Sequence, residues 1–285
     1  MLNDAGGIET DLTVFRLSET AFMVVTGTGQ ATKDADWIRR HMNGEAVAVT
    51  DVTSAYAVLG VAGPRSEELL QAVSSDALSV ADFPRYRHRE IEAGYALVRA
   101  ARLSYTGEAG FELYIPTEFA AGVYDALFEA GAAMGLTDIG TLALTSLRVE
   151  RGFRAWGHEL SAADTPFEAG LDHAVKLAKN VDFTGRDALL RQRDAGLKRR
   201  HVFLTLGAAA YPIGSEPILH DGQPVGQVTS ATFGHSVGGP VCMGYVERPP
   251  AEIEAMAEAG GFAVDIACEA HPATRVSFDP PYAGT

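Results

Sequence analysis

The N-terminal third of the chain predicts short strands and one helix from the spacing of its apolar residues. Residues 12–17 and 21–26 are rich in β-branched and aromatic side chains, and the three polar residues between them favour a hairpin. Apolar residues then recur at helical spacing over 32–42, with a charged run on the opposite face. Two further apolar runs, 46–52 and 55–63, predict strands.

The middle of the chain predicts a hairpin between helices. The predicted elements are a helix at 66–73, hairpin strands at 95–104 and 111–115, an amphipathic helix at 117–136 and a helix that runs through Glu150. The hairpin connection, 105–110, carries two glycines beside Tyr105. Glycine permits positive φ, so this loop either brings backbone amides close to a ligand or merely turns the chain.

The segment 144–160 is the first candidate for chemistry, because an apolar helical pattern there ends in a carboxylate. Ala143, Leu147 and Glu150 lie three or four positions apart, so a helix places Glu150 on an apolar and normally inward face. A carboxylate buried there must be hydrogen-bonded or paired. The alternative is a surface ion pair with Arg154 at i+4. Gly152 is predicted to end the helix.

The pattern changes after the charged segment 198–201, which is predicted to be a linker. Before it, 173–177 predicts a strand and 182–187 the start of a helix that reaches Arg193. After it, short strand patterns alternate with Gly, Pro and Asp, which predicts a small β-barrel or sandwich. The predicted domains are therefore an α+β region at 1–195, with a sub-boundary near 55, and a β-barrel at 196–285.

Composition and charge limit the partners that the chain is expected to bind. A content of 47% hydrophobic and 21% charged residues is typical of a globular protein. The formal net charge of −14 repels nucleic acid and anionic lipid. Apolar runs are too short for a membrane span, the N-terminus lacks a secretory signal, and Cys242 and Cys268 have no metal-site spacing. We therefore expect a cytoplasmic protein without nucleic-acid, membrane or metal binding.

Several common catalytic motifs are missing from the sequence. It contains no dinucleotide-binding glycine motif, no phosphate-binding loop, no zinc-protease motif and no serine-hydrolase elbow. Two acidic residues then remain of interest: Glu150, and Asp11, which follows Gly6-Gly7 at the start of the first strand. An aspartate in such a place is commonly a turn or cap residue. Carboxylates on apolar faces and glycine-rich turns beside a tyrosine suit a flat, hydrogen-bonding heterocycle better than a phosphate.

Seven segments, taken together and in order, resemble one known family. They are GGIETDLTV (6–14), GVAGPRS (60–66), LSYTGEAGFELYIP (103–116), RVERGFRAWGHEL (148–160), TPFEAGLDHAVKL (165–177), DFTGRDAL (182–189) and VGQVTSATFGHSVGGPVCMGYV (225–246). This set resembles the tetrahydrofolate-dependent aminomethyltransferases, the glycine-cleavage T-protein family. VVTGTG (24–29) and the ending FDPPYAG are similar to the branch found at the C-terminal end of sarcosine and dimethylglycine dehydrogenases.

The resemblance implies a fold, a cofactor and site residues. It implies the α+β folate-binding aminomethyltransferase fold, with two α+β domains, the first incomplete, and a C-terminal small β-barrel. The cofactor that the resemblance implies is tetrahydrofolate. By position in the motifs, Asp11 matches the catalytic aspartate near folate N5 and N10, Glu150 the glutamate that binds the pterin edge, and Tyr105 an aromatic residue of the folate pocket.

The implied reaction captures the methylene unit of a methylated glycine as 5,10-methylenetetrahydrofolate. The implied partners are a small-molecule one-carbon donor and a flavin-dependent oxidoreductase domain or subunit. Two alternatives remain: methyl transfer from an O- or S-methyl donor, which gives 5-methyltetrahydrofolate, and a non-catalytic folate-binding module. The iron-sulfur assembly members of the superfamily carry a cysteine motif, whereas this chain has NVDFTGRD at 180–187.

The sequence departs from the family pattern in two places. The asparagine that contacts folate after the second strand is replaced within Thr26-Gly27-Thr28. The family segment before the GGI motif, which completes the first domain, is also missing. We therefore expect a fragment or truncated form of a longer protein.

Overall fold

The computed structural model describes residues 1–207 and 210–282. Its strands are β1 (Leu12–Arg16), β2 (Phe22–Thr26), β3 (Tyr56–Ala62), β4 (His88–Ala93), β5 (Ala96–Ala101), β6 (Gly110–Pro116), β7 (Arg200–Leu206), β8 (Pro217–His220), β9 (Gln223–Gly234), β10 (Gly239–Val246), β11 (Phe262–Ile266) and β12 (Glu269–Ser277). Its α-helices are α1 (Ala31–Arg40), α2 (Ser66–Ala72), α3 (Ala120–Gly131), α4 (Thr141–Glu150), α5 (Arg186–Ala195) and α6 (Pro250–Ala259).

The chain folds into two compact units. Residues 1–34 and the described residues from 145 onwards form the first unit, and residues 35–144 form the second. The mixed helix and strand content and the C-terminal barrel confirm the predicted fold class. The domain boundary predicted near 196 falls inside the first unit, between α5 and β7, and stays a prediction.

The second unit is an antiparallel sheet covered by two helices. The sheet has the order β3-β6-β5-β4. Alternate residues of β6, including Phe111, Leu113 and Ile115, point into a core that also contains Leu70 of α2 and Leu127 of α3. This period of two is the reason why the sheet buries one face against the helices.

The first unit contains a closed six-stranded barrel in the order β10-β7-β12-β11-β8-β9. Apolar side chains fill it, among them Val202, Leu204, Ile218 and Val264, and Ile253 of α6 packs on the same core. Gly226 allows β9 and β10 to approach closely, because a Cβ atom there would lie 1.9 Å from the Tyr245 carbonyl oxygen.

The first unit also contains the N-terminal hairpin that the apolar pattern predicted. β1 and β2 pair antiparallel, with Leu12 opposite Thr26 and Arg16 opposite Phe22. Asp11 directly precedes this ladder, as expected.

Three local predictions were wrong. No strand forms over 46–52, where Val47 and Val52 are exposed and no described strand offers a partner ladder. The segment 173–177 forms a 3-10 turn at Asp172–Ala174. The charged segment 198–201 is not a linker, because Arg200 and His201 begin β7 and His201 is 1% exposed. Charge density predicted solvent there, but the following strand pairs with β10 and carries His201 into the interior.

Candidate functional site

Glu150 lies in the last turn of α4, buried against the β9–β10 hairpin. It is 1% exposed, and its Oε1 accepts hydrogen bonds from the backbone N–H groups of Ser236 (2.7 Å) and Val237 (2.9 Å). A carboxylate at a helix C-terminus opposes the helix dipole, and burial adds a desolvation cost. Two amide donors offset both costs, so the sequence prediction of an inward, hydrogen-bonded carboxylate is confirmed.

The buried face of α4 differs from the predicted one. Ala143 is exposed and Leu147 half-buried, whereas Ser146, Val149 and Glu150 are buried. Ser146 Oγ donates to the Phe233 carbonyl oxygen at 2.7 Å, and Val149 packs with core residues of the barrel strands. The side chains at i, i+3 and i+4 still share a face, but the face that β9 and β10 cover begins at Ser146.

A glycine ends α4, as predicted. Gly152 has φ +72°, with Gly152 N donating to the Val149 carbonyl (3.1 Å) and Phe153 N to the Arg148 carbonyl (2.9 Å). This is the Schellman pattern. Arg154, which spacing suggested as the ion-pair partner of Glu150, donates from Nη1 to the Gly152 carbonyl at 2.8 Å. Two backbone N–H groups therefore bind the Glu150 carboxylate, where an ion pair with Arg154 was the alternative expected from spacing.

A second glycine makes room for the Glu150 carboxylate. A Cβ atom on Gly234 would lie 2.9 Å from Glu150 Oε1 and 2.8 Å from Val241 Cγ2. Because real Cβ atoms do not approach so closely, any larger residue at 234 must displace one of these groups. Gly234 was not singled out by the sequence analysis, and only the fold reveals its contact with residue 150.

A buried ion pair beside Glu150 was also missed. Arg148 Nη1 lies 3.0 Å from Glu159 Oε2, and the Glu159 side chain is completely buried. Arg148 Nη2 donates to Ser230 Oγ at 2.9 Å, and Thr229 Oγ1 donates to Glu159 Oε1 at 3.0 Å. A buried pair is stable only when its remaining hydrogen bonds are satisfied, and strand β9 supplies two of them here. This network fixes the end of α4 to β9.

Asp11 presents its carboxylate at the entrance to the β1–β2 ladder. Although the residue as a whole is exposed, burial of the carboxyl group raises the pKa of Asp11 above its ordinary value. The N-terminal ammonium group of Met1 and a hydrogen bond from the Leu12 N–H partly oppose the shift. The side chain therefore combines access to a ligand with partial removal from water. This pair of properties is common in catalytic carboxylates.

The residues before Asp11 are held by the segment that follows Glu150. Trp156 Nε1 donates to the Ile8 carbonyl at 3.0 Å, and Ile8 N donates to the Asp164 carbonyl at 2.8 Å. Ile8 also packs in a small apolar cluster with Leu160. The chain between 150 and 164 thus links the surroundings of the two acidic candidates, although none of the described contacts joins Asp11 directly to Glu150.

Tyr105 belongs to the second unit and lies in the loop between β5 and β6. Its side chain is 37% exposed. The hydroxyl groups of its two chain neighbours, Ser104 Oγ and Thr106 Oγ1, lie 2.8 Å apart. Gly107 adopts φ +75°, which confirms the predicted positive φ in this loop. A Cβ atom on Gly110 would lie 2.9 Å from the Val61 carbonyl oxygen, so this second glycine is needed for close packing against β3.

Within 1–207 and 210–282, no group of three or more His, Cys, Asp or Glu side chains is arranged to hold a metal ion. None of the helices in the same ranges is long and apolar enough to cross a membrane.

Two family models match the chain, and together they cover most of it. The GCVT N-terminal domain matches residues 1–179, and the glycine cleavage T-protein C-terminal barrel domain matches residues 199–282. The resemblance seen in the seven motifs is thereby confirmed.

Individual relatives and a solved structure agree with the family models. Mitochondrial dimethylglycine dehydrogenase from Homo sapiens is 38% identical over 256 residues, or 89% of this chain and 30% of that protein. An aminomethyltransferase from Listeria monocytogenes is 34% identical over 260 residues, or 91% of this chain and 70% of the relative. The crystal structure of glycine cleavage system aminomethyltransferase T from Bartonella henselae matches with a TM-score of 0.84 and 27% identity, over 99% of this chain and 74% of that one. The chain therefore spans just under a third of the length of the dehydrogenases that it matches.

Proposed function

The chain belongs to the glycine-cleavage T-protein family of aminomethyltransferases, and we propose that it transfers a one-carbon unit to tetrahydrofolate. The carbon arrives as the N-methylene group of an iminium ion, or as formaldehyde, derived from a methylated glycine. The product is 5,10-methylenetetrahydrofolate. Transfer from the iminium ion releases the demethylated amine and a proton, and condensation with formaldehyde releases water. The names of the dehydrogenase relatives favour this class of donor.

The buried carboxylate of Glu150 is the observation that carries the proposal. A pterin presents adjacent ring N–H and amino donors, which a fixed carboxylate binds with charge-assisted hydrogen bonds. Two backbone amides already occupy Oε1, and no described residue hydrogen-bonds Oε2. The residues present therefore fit a pterin through Oε2. The resemblance implies that Glu150 binds the pterin edge, and because the β9–β10 hairpin holds Oε1, we propose Oε2 for that contact.

Asp11 is the proposed catalytic residue. Tetrahydrofolate, when bound, supplies the N5 and N10 amines that accept the carbon. A carboxylate beside them orients the attacking amine and stabilises the positive charge on the incoming iminium group. Partial desolvation strengthens that interaction, because charges attract more strongly away from water. Tyr105, in the second unit, stays a proposed aromatic contact of folate.

In this proposal, a second protein domain or subunit generates the one-carbon donor. The dehydrogenase relatives extend far beyond the region that this chain matches. Oxidation of a methylated amine requires an electron acceptor, and we propose that a flavin-dependent oxidoreductase domain or subunit provides it.

The test combines a binding measurement with product identification. The full chain is titrated with tetrahydrofolate by calorimetry. It is then supplied with an N-methylene donor generated in place by a flavin-dependent amine dehydrogenase acting on dimethylglycine, and the folate product is identified by mass spectrometry. The reaction without the chain gives the uncatalysed background.

Each outcome selects one function. Formation of 5,10-methylenetetrahydrofolate above background supports the proposal. Formation of 5-methyltetrahydrofolate from an O- or S-methyl donor instead supports methyl transfer. Binding without any acceleration indicates a folate-binding module, and no binding at high micromolar tetrahydrofolate overturns the proposal.

A further inference from the structure

We propose that Asp34 is a positioning residue that holds Asp11 in place through the hydroxyl groups of Thr10 and Thr26. The inference deepens the proposed function, since it rests on Asp11 acting in the transfer. Asp34 stands in the first turn of α1 and lies outside the seven motifs.

The Asp34 side chain is buried and accepts two hydroxyl hydrogen bonds on one oxygen. The residue is 1% exposed. Thr10 Oγ1, itself on a residue 2% exposed, donates to Asp34 Oδ2 at 2.6 Å, and Thr26 Oγ1 donates to the same atom. Hydrogen bonds to a charged acceptor are stronger than neutral ones and fix geometry more tightly. A solvated surface carboxylate would have no such arrangement.

The two threonines lie on either side of Asp11. Thr10 directly precedes it in the chain. Thr26 is the last residue of β2 and lies opposite Leu12, the residue that directly follows Asp11. One carboxylate oxygen therefore connects the residue before Asp11 with the strand that pairs with the residue after it. The arrangement leaves the backbone at Asp11 little freedom to move.

Neighbouring side chains hold the two residues before Thr10 in the same way. Lys33, next to Asp34 on α1, donates to the Glu9 carbonyl oxygen and lies 2.9 Å from Glu9 Oε1. The Lys33 ammonium also lies 4.2 Å from the centre of the Trp156 ring, and Trp156 Nε1 donates to the Ile8 carbonyl. Three successive residues leading to Asp11 are thus each fixed by a side chain from elsewhere in the unit.

The partners of Asp34 explain why a carboxylate stands there. Both threonine hydroxyls donate, so the group that joins them must be an acceptor, and an ionised carboxylate is acceptor-only. Asp34 Oδ1 accepts no hydrogen bond among the described residues, and Lys33 Nζ lies 3.9 Å from it. The two threonine hydroxyls on Oδ2 are therefore the hydrogen bonds that hold this carboxylate.

The first test measures the surroundings of the Asp11 carboxyl group, through its pKa, in the absence of folate. The pKa of the Asp11 carboxyl group is followed by 13C NMR titration of the full chain, with Asp11→Asn used to assign the signal. Thr10→Val replaces the hydroxyl with a methyl group of the same shape, and Thr10→Ser restores it. We expect the pKa of Asp11 to fall toward the ordinary value of ~3.9 in Thr10→Val and to recover in Thr10→Ser. An unchanged pKa in Thr10→Val overturns the proposal.

The second test measures catalysis with the same variants and with Thr26→Val and Thr26→Ser. We expect each valine variant to lower kcat about tenfold and to leave the Kd for tetrahydrofolate within about twofold, and each serine variant to recover kcat. Asp36→Asn on the same helix is the matched control, because Asp36 is half-exposed and pairs with Arg40. Equal losses in Asp36→Asn, or parallel losses of kcat and melting temperature without serine recovery, overturn the positioning role.

The two tests also separate this inference from the proposed function. If the unmodified chain forms no one-carbon folate but the Asp11 pKa responds to Thr10→Val, the positioning holds and the transfer assignment fails. If transfer occurs and neither readout responds, the transfer assignment holds and the positioning fails.

Discussion

Replacing Glu150 in two ways separates its structural contact from its proposed contact with the ligand. In Glu150→Ala, the N–H groups of Ser236 and Val237 lose their acceptor. Each unsatisfied buried donor costs about 1–3 kcal/mol, and we place the loss of unfolding free energy at about 2–4 kcal/mol because these amides are only partly buried. In Glu150→Gln, the amide oxygen can still accept both hydrogen bonds, so we expect a loss below about 1.5 kcal/mol.

Tetrahydrofolate affinity, unlike stability, should fall by a similar amount in both variants. Glutamine retains the hairpin contact but removes the negative charge and turns an NH2 donor toward the donors of the pterin. We therefore expect both variants to lose about 2–4 kcal/mol of binding free energy, or about 30- to 700-fold in Kd. Urea unfolding and calorimetric titration give the two free energies on the same samples.

Two results would refute this reasoning. Unchanged tetrahydrofolate affinity in Glu150→Gln would remove Glu150 from the folate site. Unchanged stability in Glu150→Ala would show that the β9–β10 hairpin does not depend on the carboxylate for its anchoring.

Three further predictions concern neighbouring features. Asp11→Asn should leave the Kd for tetrahydrofolate nearly unchanged and slow transfer by tens-fold or more in the coupled assay, and an equal loss in both would reduce Asp11 to a binding residue. Gly234→Ala should weaken tetrahydrofolate binding in the same titration, because the new Cβ displaces Glu150, whereas Gly122→Ala in α3 is a suitable control, because Gly122 has no positive φ and no atoms lie close to its Cβ position. Burial, with Arg154 and Arg200 nearby, holds the pKa of His201 well below its ordinary value. The folded state then binds fewer protons than the unfolded state, so the unfolding free energy falls as pH drops below ~6.5, by at most about 1.4 kcal/mol per pH unit. His201→Leu should remove this pH dependence, which urea unfolding between pH 5 and 7.5 measures.

The sequence predicted the local features of the site better than its long-range contacts. Helical spacing placed Glu150 on a buried face, and Gly152 ended the helix as expected. The hydrogen-bond donors to Glu150 lie 86 and 87 residues further along the chain, where no periodicity connects them to α4. Helical spacing therefore suggested Arg154, the cation at the i+4 position from Glu150. Tertiary contacts replaced the local pair that i,i+4 reasoning favours.

Buried polar residues were the hardest to recognise in advance. Asp34 stands among charged and polar neighbours in KDAD and has the composition of a solvated helix face. His201 follows a run of three basic residues, which is typical of an exposed segment. Both are buried because a neighbouring strand or hairpin covers them, and burial by a distant element leaves no signal in local composition. Sites in which a carboxylate accepts from threonine hydroxyls are missed for the same reason.

The packing of α4 on the barrel strands decides where this chain can be cut. Val149 packs with Phe203, Val241 and Met243, and these four residues form one buried apolar cluster. A barrel expressed from residue 196 onwards would expose three large side chains to water and leave Thr229 and Ser230 without their partners on 148–159. We therefore expect such a fragment to aggregate, and a graft of the barrel into another protein to require the preceding helix as its cover.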